Sequence, residues 1–587
     1  MRNSLLTLGL TLGLAVSSAY AQTPSWQGGA QNVNPAPTND TESQALAISA
    51  DASGNAYVGG TLTNGRGSGV PGVRSFGSTV LTNAGNGFGT GFIGKLSTSQ
   101  QWQWAVPVSN NGEGTYITHT AATPAGDVYA SGFIEELGNT TLKVGSLTQA
   151  VTATYGAYFT RLNTSGQPQW IAVASLSGAT STSSVSVVSM NWDATNGNLV
   201  VVGEYEGGAM VFGSTTLPSA PKGGIFVAKL SAAGQWLSAV GVAATGASAN
   251  LNVDAAAAGY QGQVAVSFSL TNGSIALGSL SVTSSSSADE KNTVAQLSST
   301  GQWQWLAQPQ GVTASFELDD LTYDRNGNIW TMGSASTGAQ LGTSTIPANS
   351  EEFVARLTSA GQWGAVGNIV RQTSGPGFAI GSQITADAQG NVLVAGDLEY
   401  RTNNDTYAFG STTLSTAGST RNFMARFSPA GQWQFAQLSP ASPTAAASSN
   451  YTVEDMTLDG IGNLLTAGRI RRGSVTFDVT TLTGSQGGDA YVAKLANAGV
   501  LTVRQAANAA PLALYPNPTP SGAAFTLRLS AATTGTQAVV LRDALGRVAR
   551  QVTLVAGQSS ASISTAGLTP GLYLVEAGAS RAQVVVE

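Results

Sequence analysis

An all-β fold in two parts, a ring of seven antiparallel units followed by a small two-sheet domain, is what this 587-residue sequence predicts. Three observations point there. Glycine is abundant while charge is sparse, one short phrase returns seven times, and the character of the chain changes near residue 504.

A hydrophobic content of 42% belongs to a folded protein, and 10% charged residues with 72 glycines favours strands and turns over charge-laced helices. The length exceeds what one hydrophobic core supports, so several domains or a closed repeat are expected. A net charge of −6 without any basic block offers no footprint for phosphate backbones or anionic lipid, so no nucleic-acid partner is expected. The absence of cysteine excludes disulfides, thiolate metal sites and cysteine nucleophiles. The single histidine, His119, excludes a two-histidine metal cage and leaves one candidate for a nucleophile–base pair. It lies in the alternating stretch Tyr116-Ile117-Thr118-His119-Thr120 and reads as a sheet residue. No cofactor and no metal are expected.

Residues 1–21 read as a signal peptide: Arg2, an apolar run over 5–16, then Ala19-Tyr20-Ala21 before Gln22, an A-x-A cleavage site. No later segment approaches the roughly 20 apolar residues of a spanning helix, so the mature chain is expected to lack a transmembrane segment.

The repeat decides the architecture. The phrase Phe92-Ile93-Gly94-Lys95-Leu96 returns at 158–162, 226–230, 294–297, 353–357, 423–427 and 491–495, on average about 66 residues apart. After six copies a short turn leads to a tryptophan: Trp102, Trp170, Trp236, Trp303, Trp363 and Trp433. Each pair reads as a hairpin, with the tryptophan in the core between units. A second phrase, Asp51-Ala52-Ser53-Gly54-Asn55, recurs at 193–198, 324–328, 387–391 and 459–463, with degenerate copies at Gly126-Asp127 and Gly262-Gln263. Its aspartate bonds the backbone of its own turn and its glycine supplies positive φ; calcium would need more converging oxygens than one turn offers. A third element, Phe76-Gly77-Ser78-Thr79-Val80-Leu81 and its relatives, adds a short ribbon to each unit.

Four-stranded antiparallel units of this kind bury their faces by stacking radially, which gives a seven-bladed β-propeller over residues 22–504. The units resemble the bacterial seven-bladed β-propeller repeat family, which pairs a glycine-asparagine turn with a Phe-Val-Ala-Lys-Leu strand. That resemblance implies a fold and leaves activity open. Eight segments compete for seven outer-strand places, since both 25–27 and 500–503 qualify. Trp26 favours the N-terminal one, because it restores the tryptophan that the seventh unit lacks.

Beyond an alanine-rich linker at 505–511, residues 512–587 read as a small β-sandwich of short alternating strands. Tyr515-Pro516-Asn517-Pro518, then Asp543 with Gly546 and Arg547, then Gly571 and Tyr573, and an apolar last strand follow one another. In that order they resemble the type A sorting domain of the type IX secretion system. The family's last strand often carries lysine, whereas this chain ends Val584-Val585-Val586-Glu587. The resemblance implies a Gram-negative source, passage through the periplasm, contact with the type IX machinery, and release or attachment at the cell surface.

Three readings of the larger part stay open. The first is a monomeric, non-enzymatic surface platform for a glycan or protein ligand, favoured by scarce histidine, absent cysteine and unlike loops after Gly60, Gly132, Gly203, Gly396 and Gly468. The second is a carbohydrate-active enzyme using paired carboxylates about 5 to 10 Å apart, with Glu135, Glu136, Glu204, Glu206, Asp397 and Glu399 as candidates. The third is an accessory part of secretion or gliding machinery.

Overall fold

The computed structural model describes the chain except residues 1–23, 36–40, 65–70, 84–88, 112–113, 135–139, 374–378, 400–404, 417–420, 441–450, 500–511, 530–531, 534, 544–547 and 578–579. The described residues are all-β, and none of them forms a helix long and apolar enough to cross a membrane. The expected leader with Ala19, Ala21 and Gln22, the expected linker, and the segment 500–503 lie outside the described residues. Two compact units divide the chain, Met1–Leu501 and Thr502–Glu587.

The larger unit contains seven antiparallel sheets built on a four-stranded meander, four of them extended to six strands by a ribbon. The first runs Glu42–Ala50, Ala56–Thr63, Thr90–Leu96 and Trp102–Ser109, neighbours in sequence being neighbours in space. Five more repeat this order, with first strands His119–Ala122, Ser184–Asp193, Asn250–Ala258, Phe316–Tyr323 and Ala379–Ala386. The seventh holds Tyr451–Leu458, Leu464–Ile470 and Asp489–Ala496, and its fourth strand is the N-terminal Ser25–Gln31. The first strands pack one against the next, and the seventh packs against the first.

Local chemistry explains the repeated phrases. In the first turn Asp51 Oδ1 accepts the N–H groups of Ser53 and Asn55, both at 2.9 Å, Oδ2 accepts Asn55 Nδ2 at 2.8 Å, and Gly54 sits at φ 86°. Asp324, Asp387 and Asp459 repeat this arrangement. The glycine late in the second strand has a steric cause. A Cβ at Gly60 would lie 2.0 Å from the Gln44 carbonyl oxygen, and Gly203 and Gly468 meet the same approach at 2.1 and 2.0 Å. Each faces a bulge in the first strand that pushes a carbonyl across the pair.

Apolar side chains fill the spaces between successive sheets. Tyr129 and Phe159 of the second sheet meet Val201 and Phe226 of the third, and Val58 and Phe92 of the first meet Ala467 and Val492 of the seventh. Each fully buried valine or phenylalanine contributes about 1.5–3 kcal/mol. The ribbons bond sideways: Ala209–Phe212 pairs with the outer strand of the second sheet, and Thr140–Val144 with that of the first.

The tryptophans divide into two registers. Trp102, Trp236, Trp303, Trp363 and Trp433 stand opposite the last residue of the repeated phrase, and Trp26 takes this place in the seventh sheet opposite Leu495. Trp102, Trp236, Trp433 and Trp26 stack edge-on against the ribbon phenylalanines Phe76, Phe212, Phe409 and Phe477. Trp170 corrects the expectation of one shared position. Pro168 faces Leu162, so Trp170 falls two residues later, opposite Arg161, as Trp104 and Trp305 do in their sheets.

The smaller unit has a three-stranded sheet (Ala513–Tyr515, Ala524–Arg528, Ser560–Ser564) and a four-stranded one (Gln537–Arg542, Val548–Leu554, Gly571–Ala577, Ser580–Val586). They share a core of Phe525, Leu527, Val539, Leu541, Ile563, Tyr573, Val575 and Val584.

Candidate functional site

The bulge that requires the glycine also builds the candidate site. In six of the seven first strands the register slips by one residue, at 45/47, 187/189, 253/255, 318/320, 381/383 and 453/455. A bulge re-aims side chains. Three of the bulged residues are Asp254, Asp319 and Glu454, and the residues after the last two are Asp320 and Asp455. All five line a cavity of about 520 Å³ to which every first strand contributes, Ile48, His119, Met190 and Ile384 included.

The position after the bulge clasps the following sheet. Asp455 Oδ2 accepts the Ile48 N–H at 2.7 Å and Asp320 Oδ2 accepts that of Ile384 at 2.9 Å, while their other oxygens accept Met456 and Leu321 N–H, both at 2.7 Å. In the second sheet His119 Nε2 donates to the Val188 carbonyl at 3.2 Å and Nδ1 accepts the Thr118 hydroxyl at 3.1 Å. Burial pushes Asp320 up to about 8 and Asp455 to about 7 against these bonds, and holds His119 down at about 4.

Asp254 is pushed up to about 7 by burial, with the Ser267 hydroxyl at 3.4 Å opposing and Glu204, Glu290 and Glu317 adding like charge. Asp319 rises to about 7 through burial and Glu317, and it hydrogen-bonds Glu352, whose carboxyl burial and Asp319 raise well above the usual range. Two buried carboxyls joined in this way share a proton. Around neutral pH this cavity therefore presents partly protonated acids, able to donate to as well as accept from hydroxyl groups. Among the described residues no three acids or histidines are grouped to hold a metal ion.

The acids singled out from sequence lie elsewhere. Glu204 accepts the Val253 N–H at 2.9 Å, Asp397 is bonded by Asn422 Nδ2, Glu206 is exposed, and none of these lines the cavity; Glu135 and Glu136 lie outside the described residues. The cavity acids left a signal all the same. Asp319-Asp320 and Glu454-Asp455 each begin five residues before a turn aspartate, Asp324 and Asp459.

In the smaller unit Asn517 Nδ2 donates to the Gln583 carbonyl at 2.7 Å and its Oδ1 accepts the Val585 N–H at 2.9 Å, so the segment Tyr515-Pro516-Asn517-Pro518 clamps the last strand. Tyr573, on the strand that begins at Gly571, donates its hydroxyl to the Thr569 carbonyl at 2.8 Å. Asp543 follows the strand Gln537–Arg542, and Gly546 and Arg547 lie outside the described residues.

Residues 513–587 match the family model described as the secretion system C-terminal sorting domain. It marks proteins exported through the periplasm to the cell surface or the extracellular space, and implies contact with the secretion machinery. No curated protein matches the chain. Among solved structures the chain is similar to an ulvan lyase of a new polysaccharide lyase family (8% identity, TM-score 0.39, covering 78% of this chain and 98% of that one). It is also similar to a protein of unknown function from Dyadobacter fermentans (8%, 0.29, 64% and 93%) and to polysaccharide lyase Uly1 (9%, 0.28, 63% and 88%).

Proposed function

We propose that this exported chain works outside the cell as a non-enzymatic binding platform, its larger unit a seven-bladed β-propeller that takes a glycan or protein ligand. The succession of seven sheets, returning from the last to the first, supports the propeller. The observation that carries the platform reading is how the polar groups of the axial cavity are used. Asp320, Asp455 and His119 fasten one sheet to the backbone of the next, and Asp319 is tied to Glu352. An acid–base pair for glycoside chemistry needs a proton donor and an acceptor free to reach the substrate. Fastened groups lack that freedom, which leaves Asp254, held by the Ser267 hydroxyl at 3.4 Å, as the least constrained acid of the cavity.

The leader is removed after Ala21, and the type A sorting domain is recognised through its motif residues Tyr515 to Pro518, Asp543, Gly546, Arg547, Gly571 and Tyr573.

A panel of polysaccharides screened in parallel for binding and for turnover tests the platform. Binding without turnover is expected. Turnover that disappears in Asp254→Asn or Asp319→Asn would replace it with a carbohydrate-active enzyme.

A further inference from the structure

One groove between sheets is left unfilled by the repeat. At the end of the sheets that carries the aspartate turns, the basic residue of five of the repeated phrases reaches into the following sheet. Lys95 Nζ lies 3.5 Å from the Thr164 carbonyl, and Arg161 donates to Ala232 at 2.8 Å. Lys229 donates to Ser299 at 2.7 Å, Arg356 to Pro429 at 3.5 Å and Arg426 to Ala498 at 2.8 Å. The acceptor is always the second residue of the turn before the outer strand, or its equivalent in the seventh sheet. Beneath three of these cations lies an aromatic ring of the second strand: Tyr57, Tyr129 or Trp330.

The fourth sheet departs from this pattern at the cation itself. Gln296 replaces the cation and turns its Nε2 to the Tyr323 hydroxyl at 3.0 Å, while the equivalent carbonyl, Ser359, is bonded by Trp305 Nε1 at 3.0 Å. Opposite Gln296 stands Ala265, smaller than the Tyr57, Tyr129, Val200, Trp330, Leu393 and Leu465 at this place in the other sheets. The turn is Gly259-Tyr260-Gln261-Gly262-Gln263 in place of the aspartate phrase. A cavity of about 340 Å³ opens there, between the fourth and fifth sheets, lined by Tyr260, Gln261, Gln263, Gln304, Arg325 and Asn326 among others. Pockets for small ligands begin at about 300 Å³.

Its chemistry is selective. Tyr260 is 50% exposed, with the Arg325 guanidinium 5.9 Å from its ring centre. The aspartate of the lining, Asp324, spends both oxygens on Asn326 and Asn328 N–H, Asn328 Nδ2 and Trp330 Nε1. What faces the opening is an aromatic ring, a guanidinium and planar amides that donate and accept at once. Sugar rings match this set, with apolar C–H faces for the aromatic and paired hydroxyls for the amides.

We propose that the groove between the fourth and fifth sheets binds an oligosaccharide segment, with Tyr260 as its stacking face and the glutamines and Arg325 reading its hydroxyls. The proposal rests on the platform reading above and gives that platform its site.

The full mature protein is run in affinity gels containing xylan, mannan, mixed-linkage β-glucan or polygalacturonate. At least one is expected to retard it, and both Tyr260→Ala and Gln296→Arg are expected to weaken that retention at least ten-fold. The second variant restores the repeat's basic residue, which refills the groove and leaves the melting temperature unchanged or raised, so its loss cannot be unfolding. Val479→Ser, on the exposed turn between the ribbon strands Gly473–Phe477 and Thr480–Gly484, is expected to bind as the unaltered protein does. Retention that survives both groove variants overturns the site but not the platform. So does retention lost only in Asp254→Asn, which moves the ligand to the axial cavity. Retardation by none of the four polysaccharides also overturns the site.

Discussion

Asp320 and Asp455 are carboxyls buried for the sake of a backbone contact, and their protonation couples the sheet junctions to pH. Both lie far above the roughly 3.9 of an unfolded aspartate, so between about pH 4 and pH 7 to 8 the folded chain holds protons that the unfolded chain has released. The stability they contribute is complete below that window and is lost as pH rises through it. His119, held down at about 4, acts oppositely, losing stability as pH falls from about 6.5 towards 4. Above pH 6.5 the carboxyls act without that opposition. The melting temperature should therefore fall between pH 6.5 and 8.5, and fall less in the Asp320→Asn, Asp455→Asn double variant, whose single amide oxygens keep the N–H of the neighbouring sheet and give up the local one. Equal slopes in a calorimetric series would show that these carboxyls do not set the pH response. At the same scale Trp102 is half-buried, stacks on Phe76 and donates its indole N–H to the Gln31 carbonyl at 3.0 Å. Trp102→Ala should cost about 2–3 kcal/mol in denaturant unfolding, below the roughly 3–5 of a fully buried ring.

Among the elements, the N-terminal strand has the largest consequence. Ser25–Gln31 supplies the outer strand of a sheet whose other strands begin at Tyr451, and Trp26 reproduces the tryptophan position there. The first ribbon adds a second tie to that sheet: Arg74, fully buried, pairs with Asp489 at 3.0 Å and donates to the Gly488 carbonyl at 3.1 Å. Deleting residues 22–31 should lower the melting temperature and make the amides of Asp489–Ala496 the first to exchange, as read by hydrogen-exchange mass spectrometry. Arg74→Met leaves a buried aspartate without its cation and should cost about 3 kcal/mol or more in chemical denaturation.

At the scale of the whole molecule, the sorting domain and the groove proposed to bind belong to different units. The sorting domain has its own core, with Asn517 locking its last strand to the proline-rich segment. Removing residues 512–587 should leave a folded larger unit held in the periplasm, detected by fractionation. Its appearance in the medium at the level of the full chain would show that the smaller unit is not what carries it out.

The sequence by itself determined the repeated unit, the turn chemistry and the sorting domain, because each rests on residues a few positions apart: an aspartate bonding its own turn, a strand period of two, a proline phrase. It also held the acid doublets before Asp324 and Asp459 in plain view, yet gave no reason to prefer them to Glu204 or Asp397. Only the tertiary structure decided that, since it is the bulge and the neighbouring sheet that turn Asp320 and Asp455 inward onto Ile384 and Ile48. The same holds for the open groove. Gln296 and Tyr260 are separate departures along the chain, and they line one cavity only where two sheets pack side by side. Burial and juxtaposition across hundreds of residues are properties of packing, and no local pattern encodes which side chain will lose its water.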